Sequence, residues 1–300
     1  MQQVQLTIEK PDYFDLKQNL VFLTRSDQEI LHVITDDSIF KVMTINGKQY
    51  VIKLHEHRDL LIVTFLNEQV TERVKNKVKR YVVEWFDLDR DIRPFYVIAE
   101  KDDVLHSIVQ KYKGYRIVGI PDLFESFTWA ILGQQINITF AYRLKRRLVE
   151  TYGSTIQYND KEIAVFPSAE TIATLNENDL RKLQISNRKA QYIIGIANMI
   201  ANKNITKDKL MKLDDETLEK KLTNIRGVGK WTAHYVMMRT LRRTNAFPVQ
   251  DVGIKRAFQQ ALGLKTRPTM EQMQAHIKRW SGWEAYAAFY LWRTLYEDES

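Results

Sequence analysis

Residues 222–258, LTNIRGVGKWTAHYVMMRTLRRTNAFPVQDVGIKRAF, gather the side chains of this 300-residue chain best placed to do chemistry. They join Gly227-Val228-Gly229, between two helical patterns, to a lone acidic residue, Asp251, where the next helix starts. Asp214, Leu218, Leu222 and Ile225 mark the first pattern, which ends at Arg226-Gly227. The second begins at Lys230 and carries Trp231, Tyr235, Val236 and Arg239 at helical spacings. Gly227 and Gly229 permit positive φ and close approach of another backbone. Amides left without partners at a helix N-terminus make an anion site, so this turn can hold a phosphate with a carboxylate beside it. Taken singly, two glycines only make a turn and Asp251 only caps a helix.

In combination the segment resembles the helix-hairpin-helix (HhH-GPD) base-excision DNA glycosylases. Gly227-Val228-Gly229 followed by Trp231-Thr232-Ala233 is most similar to the bacterial DNA-3-methyladenine glycosylase II branch. The resemblance implies that Phe247-Pro248-Val249-Gln250-Asp251 delivers the catalytic aspartate and that Trp231, Tyr235 and Trp283 wall the base pocket. It places Gly227, Val228, Gly229, Lys230, Thr232, Gln134, Gln135, Arg143 and Arg146 on DNA, and a sodium or potassium ion at the Ile225 and Val228 carbonyls. No other cofactor is required. Cleaving an N-glycosidic bond builds positive charge on the deoxyribose, which a nearby carboxylate stabilises electrostatically. Bases methylated at ring nitrogens are cationic, leave without protonation and stack on electron-rich rings. Relatives that also nick DNA carry a Schiff-base lysine at the position of Trp231; Lys230, one residue earlier, is turned by about 100° on a helix. The implied enzyme is therefore monofunctional. Trp129-Ala130-Ile131-Leu132-Gly133-Gln134-Gln135-Ile136 resembles the loop that fills the gap left by a flipped base, with Gln135 where the bacterial pattern is apolar. Trp280, Trp292, Phe289 and Tyr290 are assigned to the core. Two alternatives stay open: an oxidised-purine glycosylase of the 8-oxoguanine type, and a non-catalytic helix-hairpin-helix DNA-binding protein.

These residues need a large scaffold, and 44% hydrophobic content over this length supports a sizeable core. The net charge of +8 suits a polyanionic partner, and the basic residues cluster at Arg143, Lys145, Arg146 and Arg147 and again at Arg239, Arg242 and Arg243. The absence of cysteine removes disulfides, thiol catalysis and the iron-sulfur cluster that the endonuclease III branch carries. Among six histidines only His55-x-His57 has metal-like spacing, and it reads as a solvated strand end. No apolar run is long enough to span a membrane, and MQQVQLTIEKPDYF lacks a signal core. The expected protein is a soluble monomer that acts on double-stranded DNA containing damaged bases, cytoplasmic in a bacterial cell and associated with the nucleoid during repair.

The elements read as α+β. Val21-Phe22-Leu23, Leu31-His32-Val33-Ile34, Phe40-Lys41-Val42-Met43, Tyr50-Val51-Ile52-Lys53-Leu54 and Leu60-Leu61-Ile62-Val63-Thr64-Phe65 are strand candidates, and Asn46-Gly47 signals a tight hairpin. A helix over residues 68–86, with Val70, Val74, Val78 and Val82 in line, covers the resulting antiparallel sheet. From about Asp122 the pattern turns helical to the end, with helices over 137–152, 187–202 and 270–280 among others. This predicts an N-terminal α+β domain over residues 1–115, joined through residues 86–115 to an all-α helix-hairpin-helix glycosylase core over 116–300.

Overall fold

The computed structural model describes residues 4–66 and 70–296. Strand β1 (Gln5–Glu9) and helix α1 (Leu16–Leu23) precede β2 (Val33–Thr35), β3 (Ser38–Ile45), β4 (Lys48–His57) and β5 (Leu60–Phe65). These five strands form one antiparallel sheet in the order β1-β5-β4-β3-β2. At the β3–β4 turn Asn46 and Gly47 take φ of 53° and 76°, the left-handed pair that a two-residue hairpin requires. His57 ends β4 exposed, as expected of a solvated strand end, whereas His55 is half-buried with its Nδ1 shielded from solvent.

Val21-Phe22-Leu23 is not a strand; it closes α1. The Asp15 carboxylate caps that helix, accepting from the amides of Lys17 and Gln18, and Leu16, Asn19, Leu20, Phe22 and Leu23 form its buried stripe. A three-residue apolar run has no period of its own, so the cap decides between helix and strand. The run from Leu31 becomes strand only at Val33. The covering helix α2 (Glu72–Phe86) buries Val74, Val78, Val82, Trp85 and Phe86, the i, i+4 stripe. Glu68, where the sequence pattern starts that helix, lies outside the described residues.

The joining segment holds α3 (Arg93–Glu100) and α4 (His106–Lys111). Beyond it come α5 (Leu123–Leu132), α6 (Ile138–Tyr152), strands β6 (Ser154–Tyr158) and β7 (Lys161–Val165), and α7 (Ala169–Ala173), α8 (Glu177–Arg181) and α9 (Asn187–Ala201). The chain continues through α10 (Lys207–Met211), α11 (Asp215–Thr223), α12 (Lys230–Arg239), α13 (Val252–Ala261), α14 (Met270–Ile277) and α15 (Glu284–Arg293), with single 3₁₀ turns at Lys278–Trp280 and Thr294–Tyr296. The β6–β7 hairpin interrupts the expected all-helical run. Its Ile163 is buried with Val42 and Val51, so it covers the sheet face opposite α2, and tertiary packing rather than local propensity makes these residues strands. None of the described helices is long and apolar enough to cross a membrane.

Buried polar side chains stitch the two halves together. Asp87, in the left-handed cap of α2, accepts from Arg90 and Arg242 at 2.7 Å each and from the Tyr286 hydroxyl at 2.7 Å. Arg116 is buried and donates to the carbonyls of Asp12, Tyr13, Asp87 and Arg90. A cavity of about 50 Å³ at the junction is lined by Glu29, His32, Lys41, Glu125 and Lys145, with Trp85 and Trp129. Burial alone would raise the Glu29 carboxyl, yet Lys145 at 2.8 Å and nearby His32 hold it well below the usual carboxylate range. Burial pushes His32 down from 6.5 to about 4, with Nε2 3.2 Å from the Leu23 carbonyl.

The unfolded chain thus binds a proton on His32 in a range where the folded chain does not. The stability this group contributes is complete above about pH 6.5 and is lost as the pH falls toward about 4. His32→Gln, which keeps a donor but cannot titrate, is expected to flatten that limb when urea midpoints are compared from pH 7.5 to 4.5. A variant with the wild-type slope would show that the loss comes from other groups.

Candidate active site

Asp251 caps α13, its Oδ1 accepting from the Ile254 amide at 2.9 Å. Two indoles also donate to the carboxylate. Trp292 Nε1 donates to Oδ1 at 2.9 Å and Trp231 Nε1 to Oδ2 at 2.9 Å. The side chain is therefore held from α12, α13 and α15 at once while staying half-buried. The loop before it is tied down separately. Phe247 N donates to His234 Nδ1 at 2.9 Å, which leaves the His234 Nε2 proton facing Glu219 Oε2 at 3.2 Å. Asp251 N donates to Pro248 O at 2.8 Å and completes a tight turn.

The Trp231 ring stacks on Tyr235, with centroids 5.4 Å apart and planes 23° apart, and Tyr235 packs 6.2 Å from Trp292. The Tyr235 hydroxyl accepts from Arg239 at 2.5 Å. Trp283 has Phe95 and Tyr286 as ring neighbours instead, and Trp292, read from the sequence as core, is the buried ring that contacts Asp251. Trp280, Phe289 and Tyr290 are fully buried.

Gly227 has φ +90°, and a Cβ there would lie 2.2 Å from Tyr192 Cγ on α9. Val228 N returns to Ile225 O at 2.9 Å, and Gly229, at φ −84° rather than the positive φ its residue type permits, caps α12 without a side-chain hydrogen bond to its first amides. Gln134 reaches this turn and donates to Gly227 O at 2.9 Å and to the buried Thr232 Oγ1 at 3.0 Å. Lys189 donates to Leu132 O at 2.7 Å and Gln134 O at 2.8 Å, closing the carbonyl end of α5. Just after these anchors Gln135 stands exposed at φ +56°. Gln134, Thr232 and Lys189 thus brace the loop and the turn against each other, a role that only long-range packing reveals.

The basic clusters divide. Arg143 and Lys230 are exposed, the latter 3.8 Å from Glu219, and Arg146 pairs with Glu150. Lys145 turns inward to Glu29 and Glu125. The cluster at 239–243 is no free basic surface either: Arg239 is buried, Arg242 pairs with Asp87 and Asp89, and Arg243 caps the Met211 and Leu213 carbonyls. Sequence proximity counts charges but does not show which are already neutralised. Among the described residues one acidic group with metal-like spacing, Asp102, Asp103 and His276, is occupied by the Arg279 guanidinium.

Residues 128–282 match the model of the HhH-GPD superfamily base excision DNA repair protein. The chain belongs to this superfamily. Residues 6–127 of this HhH-GPD protein match the N-terminal domain of 8-oxoguanine DNA glycosylase. It is 40% identical to a DNA-3-methyladenine glycosylase of Bacillus subtilis, with 97% of each chain covered. It is 30% identical to DNA-3-methyladenine glycosylase 2 of Escherichia coli over 60% of this chain and 61% of that one. The HhH-GPD protein also shares its fold with a 3-methyladenine DNA-glycosylase from Archaeoglobus fulgidus, with a TM-score of 0.84, 24% identity and 98% of each chain covered. MBOgg1 in complex with a low-affinity DNA ligand superposes with a TM-score of 0.77 at 23% identity, covering 100% of this chain and 99% of that one.

Gly227→Ala forces a side chain into the left-handed region and onto Tyr192. It is expected to cost about 2–4 kcal/mol of stability. Tyr192→Ala in the same chain is expected to recover part of that loss in a double-mutant cycle followed by urea denaturation. Additive effects would mean that the ring does not limit this turn.

Proposed function

We propose that the protein is a monofunctional DNA glycosylase that hydrolyses the N-glycosidic bond of alkylated bases, of the 3-methyladenine and 7-methylguanine type, in duplex DNA. The observation that carries this reading is Asp251, whose two oxygens accept from Trp231 and Trp292 at the edge of a stacked aromatic wall. Each side-chain hydrogen bond of Asp251 is donated into its carboxylate oxygens. As the C1′–N bond breaks, its electron pair leaves with the base and positive charge grows on the sugar. Asp251 offers a fixed negative charge there, and water then adds to C1′. A base that is already cationic departs neutral, so aromatic walls and one carboxylate are sufficient machinery. The assignment to alkylated rather than oxidised bases is supported by the Bacillus relative.

Duplex binding is assigned to the free α12 amides after Gly229, to Lys230 and Arg143, with Arg146 beside them and exposed Gln135 as the wedge. Gln134 and Thr232 act there through the bond between them. The carbonyls of Ile225 and Val228 lie at the hairpin turn, and oxygen donors of that kind suit sodium or potassium; a bound ion would add positive charge beside the gripped phosphate. The same proposal has the protein acting as a monomer on nucleoid DNA in the cytoplasm. An 8-oxoguanine-type activity is the second reading, favoured by the match of residues 6–127. Trp231 weighs against the lyase form of that chemistry, because an indole cannot form a Schiff base.

Asp251→Asn removes charge while keeping shape. It is expected to lower single-turnover release of 7-methylguanine at least a hundredfold and to leave affinity for an uncleavable abasic analogue within a few fold. Near-normal release would reduce Asp251 to a helix cap. For the wild-type protein, borohydride added during turnover is expected to trap no protein–DNA adduct, and product strands are expected to break only after alkali. An adduct lost in Lys230→Ala would make the enzyme bifunctional.

A further inference from the structure

The loop that delivers Asp251 is held by α12 at both of its ends. Trp231 reaches Asp251 itself, and three residues further along the same helix His234 reaches Phe247, where the loop begins. Phe247 is buried and packs 6.2 Å from Trp280, and Ala246 before it is fully buried. Within the loop Val249 N donates to Phe247 O at 2.9 Å and Asp251 N to Pro248 O at 2.8 Å, so a shift at Phe247 is carried through two turns to the carboxylate. Among the described residues the acceptor for the Phe247 amide is His234 Nδ1, at 2.9 Å. A backbone N–H cannot accept, so Nδ1 is the unprotonated nitrogen of a neutral ring and the ring proton stands on Nε2, 3.2 Å from Glu219 Oε2.

A second proton on this ring changes only one of its two contacts. Nε2–H still faces Glu219, but Nδ1 then carries a hydrogen toward the Phe247 N–H, and two donors oppose each other where one bond had been. A buried amide that loses its acceptor disfavours the position it occupies. The charged groups on the surrounding elements do not take over that bond. Glu219 of α11 faces Nε2 with one oxygen and has Lys230 3.8 Å from the other. Asp215, also of α11, is engaged by Arg243 at 3.3 Å and by Asn245 at 2.6 Å. Asp251, at the far end of the loop, holds the two indoles, and Glu284 of α15 stands next to the Ala285 amide that donates to Thr244 O. Histidine is the side chain that ordinarily changes charge between about pH 5 and 8, above the usual range of a carboxylate.

We propose that His234 is a positioning residue whose neutral ring holds the Asp251 loop in its working place, so that base release acquires a pH dependence set beside the carboxylate rather than on it. The inference rests on the glycosylase reading above. Its test uses the full chain and a duplex with a single 7-methylguanine, with single-turnover release followed from about pH 8 to about 5.5 after subtraction of spontaneous loss. Wild-type release is expected to fall about fivefold or more across that window. His234→Leu, which removes the acceptor, is expected to lower release at the alkaline end about tenfold or more, with affinity for an uncleavable abasic analogue within a few fold. His234→Asn sets an amide oxygen near the place of Nδ1 and cannot titrate; it is expected to recover most of that rate and to flatten the fall toward acid. The Asn variant carries the test where the Leu variant does not fold. A wild-type profile without the fall, a His234→Asn profile that keeps it, or a His234→Asn rate lost at every pH would overturn the proposal. Independently of activity, the ring nitrogen NMR shifts of labelled protein are expected to show Nδ1 unprotonated at about pH 7.5, and a proton there would overturn the loop contact itself. Wild-type protein that releases no base at any pH while Nδ1 stays unprotonated would instead remove the glycosylase reading, and the role in the reaction with it.

Discussion

The placement of Asp251 depends on two indole N–H groups that belong to different helices. A helix N-cap alone would orient Asp251 by one bond to the Ile254 amide; Trp231 from α12 and Trp292 from α15 convert that local contact into a three-helix junction. Hydrogen bonds to a charged acceptor are stronger than neutral ones, and three that converge leave little rotational freedom. The stack of Trp231 on Tyr235, the Tyr235 bond to Arg239 and the His234–Glu219 support of the preceding loop each hold one partner of that junction.

The positive charge of the chain has an uneven fate. Of the basic residues that cluster in the sequence, Lys145, Arg239, Arg242 and Arg243 serve the interior, where they pair with acids or cap carbonyls. Asp87 alone collects Arg90 and Arg242 from the two halves, and burial would raise its carboxyl were it not for those guanidiniums, which hold it below its ordinary value. What those clusters leave exposed is smaller: Arg143, with Lys230 on the first turn of α12 standing 3.8 Å from Glu219.

The N-terminal half is not a passive cap on the helical half. α1 sends Phe22 and, just beyond it, Arg25 under the aromatic wall, and the β6–β7 hairpin returns the exchange by covering the far face of the sheet. One apolar core runs without a break from Ile8 on β1 to Trp292 on α15. The aromatic residues behind Asp251 are therefore packed from both halves of the chain.

Much of this was legible in the sequence. Gly227, the α11 stripe and Asp251 before Val252 have local causes, namely positive φ, a 3.6-residue period and a capping carboxylate, and the structure shows all three, whereas Gly229 takes φ −84° and α12 is buried on most of its faces. The sheet from β3 to β5, its Asn46-Gly47 turn and the α2 stripe were legible for the same reason. Other features depend on partners far away in the chain. Val21-Phe22-Leu23 carried no period and was settled by the Asp15 cap, while residues 154–165 became strands because Val42 and Val51 offered an apolar face. Trp292 at Asp251, Gln134 at Thr232, Lys145 turned inward and Arg25 left without a counter-ion are separated from their partners by stretches that no periodic pattern spans. Local spacing therefore determined which residues were equipped for chemistry, and only the tertiary structure decided which of them meet, because hydrogen bonds and desolvation act between neighbours in space.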